Sequence, residues 1–419
     1  MYLSKYNIIK KKGDIFFIYN TFSGAIASLN DYEYKLLMKA DNSNISSFDV
    51  KEQNLIREFL KGAYIEEERM EQINKLRFES YYSRYFEGNL SLTIAPTTSC
   101  NFRCPYCYEK GIKYHTMTDE VINDTIEFIN SKESRMIDIC WYGGEPLLNI
   151  DIIEKITKGI NKGNVNIKHS MVTNGYLLRG STLQKVKDLG INDIQITVDG
   201  TQEIHDSRRF LYNGGKTFDT IIENITNACE YMKISLRVNV DMTNVNYVDD
   251  LMEYLKEKNI FDKIHIYLAP VDNINETQKD SGNLYINNKV DFFSEKQKDF
   301  LEKNLDEISR VSFFEERSPY LCGAVSMHSF LIDPLGDIYN CWNDIGRKSY
   351  AVGNVREGVE SINELYKWLS YDPFSDQECL NCNIFPICLN GCPHSVIRKN
   401  KKICNTNKNS YKDLLGKFV

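Results

Sequence analysis

Three cysteines, Cys100, Cys104 and Cys107, stand in the stretch CNFRCPYC with the spacing C-x3-C-x2-C. Three thiolates this close on one loop suit three irons of a four-iron cluster. The fourth iron then has no protein ligand and is open to bind and activate a molecule, as the open position of a catalytic zinc is. A zinc site is the competing chemistry, but zinc motifs pair C-x2-C units and close with a fourth Cys or His. The nearest histidine, His115, lies past the loop.

The surrounding pattern provides a scaffold for such a loop. Leu90–Ala95 reads as a strand ending just before the cysteines. Ile137–Trp141, Ile167–Val172, Ile194–Val198, Ser235–Val240 and Ile264–Leu268 read as five more, with helical patterns such as Asp119–Ser131, Asp151–Ile160 and Thr217–Met232 between them. Repeated strand–helix units imply an α/β parallel sheet with helices outside it. Active sites of barrels built this way lie at the C-terminal strand ends. Gly143-Gly144-Glu145-Pro146, Thr173-Asn174-Gly175 and Asp199-Gly200 all fall at such ends. Two glycines let a ligand approach the backbone, and the Glu145 carboxylate beside them suits an ammonium group.

Before this region, Asp14–Tyr19 and Tyr64–Ile65 read as strands. Asp31–Ala40 and Lys51–Lys61 read as helices, the first opened by an Asn30-Asp31 cap signal. After it, from about residue 320, the sequence is irregular and carries seven cysteines. The expected domains are 1–85, 86–310 and 311–419.

Composition narrows the function class. The chain has 419 residues, 42% hydrophobic and 26% charged, with a formal net charge of −7. That balance argues against a broad nucleic-acid surface. No stretch is long and apolar enough to span a bilayer, and the segment MYLSKYNIIKKKGD lacks the apolar core of a signal peptide. A cytoplasmic location is expected, where the twelve cysteines serve as metal ligands rather than disulfides.

The C-x3-C-x2-C spacing, with aromatic Tyr106 before the third cysteine, resembles the radical S-adenosylmethionine (SAM) enzymes. The resemblance implies a partial (β/α)6 TIM-like barrel. It also implies that S-adenosylmethionine chelates the open iron, where one electron cleaves it to methionine and a 5′-deoxyadenosyl radical that takes a hydrogen atom from the substrate. GGEP matches the family motif that binds the methionine amino group, through Gly143, Gly144 and Glu145. By position, Thr197 and Leu268 are implied cofactor contacts, Tyr106 and Leu268 meeting adenine. Arg209, ending the segment His205-Asp206-Ser207-Arg208-Arg209, resembles the family's HD-x-x-R and pairs with the methionine carboxylate. Cys140 and Cys229 receive no role.

The C-terminal pattern Cys322-x13-Gly336-x4-Cys341, Cys379-x2-Cys382-x5-Cys388-x3-Cys392, Cys404 resembles the SPASM domain that follows some barrels of this family. It implies two auxiliary [4Fe-4S] clusters beside the radical SAM [4Fe-4S] cluster, three in all. Cys322, Cys341 and Cys392 would hold one, and Cys379, Cys382, Cys388 and Cys404 the other. Seven thiolates leave one ligand short, so the first keeps an open iron or takes His328 or a water. The N-terminal segment is similar to a winged-helix-like recognition module, which captures a peptide at a sheet edge.

Together these imply a maturase of a ribosomally made precursor peptide that forms a thioether from a cysteine, supplied with electrons by a flavodoxin or ferredoxin. Carbon–carbon crosslinking is the near rival. Sulfatase maturation to formylglycine is another, but its proposed aspartate base after the cysteine equivalent to Cys341 is Trp342 here, and Asp344 is out of register. A non-catalytic iron–sulfur scaffold is the reading from another class. No nucleic-acid or membrane partner is expected.

Overall fold

The structure is a computed structural model and describes residues 1–86, 88–161, 163–271, 289–304, 314, 317–320, 322–405, 408, 410–415 and 417. The expected boundary at 310/311 lies outside the described residues. The chain forms two compact units that do not follow sequence order. One comprises Met1–Phe86, Asn288–Cys322 and Tyr371–Val419; the other comprises Glu87–Asn287 and Gly323–Ser370.

The first unit opens with β1 (Tyr2–Leu3), β2 (Asn7–Lys12), β3 (Ile15–Asn20) and β4 (Ile26–Leu29). Helices α1 (Asp31–Lys39) and α2 (Val50–Lys61), strand β5 (Ile65–Glu66) and helix α3 (Glu71–Tyr85) follow. β2, β3 and β4 form an antiparallel sheet, and β1 pairs with β5. Each of α1 and α2 starts on a reciprocal cap, Asn30 with Glu33 and Asp49 with Glu52, which satisfies N–H groups that a helix start leaves without partners. Phe16, Ile18, Leu36, Leu37, Ile56 and Phe59 share their core. A second core joins Tyr6, Phe22, Ile73 and Leu76 to Phe374, Leu380, Phe385 and Leu389. The N-terminal elements and the cysteine-rich tail are therefore one packed body. α3 was absent from the sequence reading because its apolar residues form no clean stripe: Phe78 and Tyr82 face solvent while Gln72 and Arg84 are buried.

The second unit is built on six parallel strands: β6 (Asn89–Ile94), β7 (Met136–Trp141), β8 (Asn166–Thr173), β9 (Ile191–Thr197), β10 (Lys233–Val240) and β11 (His265–Pro270). Between them run α4 (Asp119–Ser131), α5 (Ile150–Gly159), α6 (Gly180–Asp188), α7 (Gln202–Arg208), α8 (Phe218–Ala228) and α9 (Val248–Glu257). All six expected strands are present, with ends shifted by a few residues. The sheet continues beyond β6. Strand β12 (Ser329–Ile332) pairs with β6 in parallel, and β13 (Asp337–Tyr339), β14 (Gly353–Asn354) and β15 (Gly358–Val359) follow antiparallel. No periodicity announces these short strands, because two to four residues are too few to display one.

The two faces of the parallel sheet differ. Along β10, Ile234, Leu236, Val238 and Val240 are buried while Ser235, Arg237 and Asn239 are only half-buried. The same alternation runs along β7, where Ile137, Ile139 and Trp141 are buried and Asp138 and Cys140 are half-buried. One face packs under the helices; the other is polar and partly open. Among the described residues, no helix is long and apolar enough to cross a membrane.

Candidate active site

The cysteine loop leaves the end of β6 and is fixed to its neighbours by backbone bonds. Thr98 N–H donates to the His115 carbonyl at 2.9 Å, Arg103 N–H to Phe210 at 2.9 Å, and Tyr212 N–H to Asn101 at 2.9 Å. The GGEP segment holds the loop from the other side: Gly144 N–H donates to the Thr97 carbonyl at 3.1 Å and Glu145 N–H to Ser99 at 2.9 Å. This explains both glycines. A Cβ at Gly143, whose φ is +109°, would stand 2.3 Å from the Thr97 oxygen, and one at Gly144 would stand 2.4 Å from the Ser99 oxygen. The pair is required by the approach of the cysteine loop itself, a role the sequence reading did not anticipate beside the cofactor contact expected there.

Glu145 is 1% exposed. Its carboxylate accepts from Thr173 Oγ1 at 2.6 Å, Asn174 N–H at 2.7 Å and Leu147 N–H at 3.0 Å. Two carboxylate oxygens offer about four acceptor sites, so capacity for a further donor remains. Burial pushes its pKa up. Asn174 also donates through Nδ2 to Asn101 Oδ1 at 2.7 Å. The loops after β6, β7 and β8 are thereby tied together.

The three thiols lie near enough to act on one another's ionisation. Burial pushes Cys100 up to about 12, with the Glu145 charge and the neighbouring Cys104 and Cys107 adding to it. Cys107 is likewise raised to about 12 by burial, Glu109 and Cys104, and Cys104 is raised by burial. Buried thiols that oppose one another's ionisation become thiolates when cationic metal is bound among them. Among the described residues, no three His, Cys, Asp or Glu side chains converge as ligands of one ion; a four-iron cluster takes its thiolates around a cage. Among the described residues, buried polar atoms here without a partner include Arg209 Nε, Asn101 Nδ2 and Glu109 Oε2. The donor set and these orphaned groups fit an iron–sulfur cluster with a polar ligand beside it.

Tyr106, at the loop's centre, donates its hydroxyl to the Asp199 carboxylate and accepts from Arg209 Nη1 at 2.9 Å. Asp199 follows β9, is 0% exposed, and also takes Arg208 Nε at 3.2 Å. Arg208 Nη1 reaches both Asp241 oxygens at 2.9 and 2.8 Å. The sequence singled out Arg209; the buried Asp199–Arg208–Asp241 chain beneath it had no motif to announce it. His205 Nδ1 accepts the Asp199 N–H at 3.3 Å, so its Nε2, 3.1 Å from Thr217 Oγ1, carries the proton. Burial and the two arginines hold this imidazole neutral. Thr197 ends β9 and Leu268 lies on β11, both buried. Register places Thr197 beside Arg237, and Leu268 beside Val238.

In the first unit, the cysteines of the tail gather. Cys388 feels the charges of Cys404 and Cys382, Cys379 feels Cys388, and Tyr371 feels Cys388, Cys379 and Cys392. Cys322 belongs to this unit by sequence, whereas Cys341 belongs to the other. Trp342 is 40% exposed and packs on Tyr142 with ring centroids 4.5 Å apart; Asp344 is buried. His328 Nε2 is buried without a hydrogen-bond partner. Cys140 is half-buried on β7, and Cys229 caps α8.

A three-cysteine loop at the end of the first parallel strand, a glycine-lined carboxylate turn at the second and a buried arginine after the fourth lie at the same end of the sheet. Residues 94–255 match the family model described as the Radical SAM superfamily, and this part of the chain is a radical SAM domain with that family's α/β fold. The cysteine-type anaerobic sulfatase-maturating enzyme of Clostridium novyi is 25% identical over 75% of this chain and 89% of its own length. The radical SAM cyclopropyl synthase TigE of Paramaledivibacter caminithermalis is 23% identical over 100% of this chain and 95% of its own. The crystal structure of Streptococcus suis SuiB bound to S-adenosylmethionine superposes with a TM-score of 0.56 at 15% identity, over 96% of this chain and 97% of SuiB. SuiB bound to its precursor peptide SuiA gives a TM-score of 0.52.

Proposed function

We propose that this enzyme is a peptide maturase that forms a thioether crosslink from a cysteine of a ribosomally made precursor. The observation that carries the choice is Trp342. In the sulfatase-maturing relatives a proposed aspartate base stands directly after the cysteine equivalent to Cys341; here an indole takes that place and packs on Tyr142. Without that carboxylate the formylglycine reading lacks its base. Similarity over nearly all of SuiB, a protein solved with a precursor peptide, supports a peptide substrate. The N-terminal sheet of β2, β3 and β4, with two edge strands, supports capture of that peptide by strand addition.

Cys100, Cys104 and Cys107 would hold the radical SAM cluster, and Glu145, Arg209 and the GGEP backbone the S-adenosylmethionine on its open iron. Bound there, these groups would supply hydrogen-atom abstraction. The protein fixes the three thiols through the Thr97–Ser99 contacts, aligns Tyr106 through Asp199, and keeps Arg209 charged and oriented beside Tyr106. Cys379, Cys382, Cys388 and Cys404 would hold one auxiliary cluster. Cys322, Cys341 and Cys392 would hold the other, whose fourth iron would be open or take His328 or a water. A flavodoxin or ferredoxin would supply electrons.

The test is co-expression with a cysteine-containing candidate precursor peptide, followed by mass spectrometry. A thioether removes two hydrogens per crosslink and blocks one cysteine from alkylation. Loss of two hydrogens with all cysteines still alkylated would move the reading to carbon–carbon crosslinking. A cysteine converted to an aldehyde would contradict it in favour of formylglycine formation.

A further inference from the structure

The half-buried face of the parallel sheet carries polar side chains that the rim chemistry does not use. Thr197, Arg237 and Tyr267 lie in one row across β9, β10 and β11. Arg237 Nε donates to Asn239 Oδ1 at 2.8 Å, and Asn239 Nδ2 reaches the Tyr106 hydroxyl at 3.4 Å. The guanidinium is therefore tied, through one intermediary, to the tyrosine of the cluster loop. It lies 5.8 Å from the centroid of the Tyr267 ring, whose hydroxyl is anchored on Gln195 Oε1 at 2.5 Å. Its charge also acts on Tyr142, which packs on Trp342.

Among the described residues, nothing pairs with the two terminal nitrogens of Arg237. The contrast with Arg208 is direct: that guanidinium is spent on two buried carboxylates, and Arg237 has none. A guanidinium oriented from behind, set beside the Tyr267 ring and holding a free two-nitrogen fork matches a carboxylate bidentately. A solvated surface arginine would need neither the Asn239 bond nor a place in the row beside Thr197.

We infer that Arg237 anchors a carboxylate of the substrate peptide below the cluster loop. This rests on the peptide-maturase reading and adds a substrate feature to it. The carboxylate comes from an Asp or Glu side chain near the reacting residue or from the end of the peptide chain.

The experiment measures binding to the anaerobic, cluster-loaded enzyme with S-adenosylmethionine. The probes are acetyl-Ala-Asp-Ala-amide, acetyl-Ala-Asn-Ala-amide and acetyl-Ala-Asn-Ala with a free terminal carboxylate. Wild type should bind a carboxylate peptide about tenfold or more tightly than the neutral one, the size of a charge-assisted hydrogen bond. Preference for the first probe assigns the side chain, and preference for the third assigns the chain end. Arg237→Gln should abolish the preference, and Arg237→Lys should keep part of it, because a point charge lacks the fork. Equal affinity of wild type for all three probes overturns the inference without reliance on any variant, as does an undiminished preference in Arg237→Gln. A precursor that matures normally while wild type ignores carboxylates sinks the anchor alone; a precursor whose mass does not change is the separate failure of the maturase reading.

Discussion

The rim of the parallel sheet and the polar face below it are built from the same strands by opposite rules. At the rim, three buried carboxylates are each held by three internal donors. Glu145 after β7 takes three donors, Asp199 after β9 takes Tyr106, Arg208 and Asn239 N–H, and Asp333 after β12 takes Leu335 N–H, Asp337 N–H and the Tyr339 hydroxyl. Below it, Arg237 is held at one nitrogen only. A site for an invariant cofactor is made rigid by its own internal bonds, as preorganisation requires. A face for a variable peptide leaves donors for the ligand to use.

The rim half of that contrast breaks most completely at Gly144. Gly144→Ala forces a methyl group onto the Ser99 carbonyl, so the cysteine loop must move. The expected outcome is loss of the radical SAM cluster, read as a fall in iron content and in the low-temperature electron paramagnetic resonance signal of the reduced protein, with the tail cysteines unaffected. Full iron content in that variant would show that the loop tolerates displacement.

Arg208→Gln tests whether the rim's internal pairing matters for stability. It leaves Asp199 and Asp241 buried without their cation. Breaking a buried pair from one side costs about 3–5 kcal/mol, to be measured by denaturant unfolding. A cost below about 1 kcal/mol would mean that water or a rearrangement replaces the arginine.

Asp333 gives a smaller effect with a definite sign. Burial, with the nearby Asp337 charge, raises its carboxyl from 3.8 to about 6. Its folded pKa lies above its unfolded one, so the folded state holds the extra proton between about pH 4 and pH 6. Stability then falls as pH rises through that window and is flat above it. The contribution is on the order of 3 kcal/mol at most. Asp333→Asn cannot ionise, so its stability relative to wild type should rise from pH 4 to pH 7. A difference independent of pH would contradict the shift.

Much of this site was legible because motifs are local. The cysteine spacing and GGEP each sit within a few residues, and strand ends could be placed from apolar runs. The partners of Glu145 were not legible, since Thr173 and Asn174 meet it only because β7 and β8 are neighbours. Arg208 and Arg209 are adjacent, and nothing in their types says which one enters a buried ion-pair chain. Arg237 did leave a signal. In KISLRVNV every second residue is apolar and buried, so the others had to face the open side. The expected strand covered most of that stretch, but its polar positions went unused.

The packing in the first unit also changes how the N-terminal module should be tested. Residues 1–86 share a core with Phe374, Leu380, Phe385 and Leu389. Excising residues 1–85 would strip the cysteine-rich tail of its support, so point substitutions on β2 or β4 are the sounder probe of peptide capture.

The central claim is that three thiols on one loop hold the cluster that cleaves S-adenosylmethionine. Formation of 5′-deoxyadenosine by the reconstituted, chemically reduced protein tests it most directly, wild type beside Cys104→Ala. Wild type should produce 5′-deoxyadenosine and Cys104→Ala none, with iron still present at the tail cysteines. Equal production by the two proteins, or none by wild type with its clusters intact, would contradict the account.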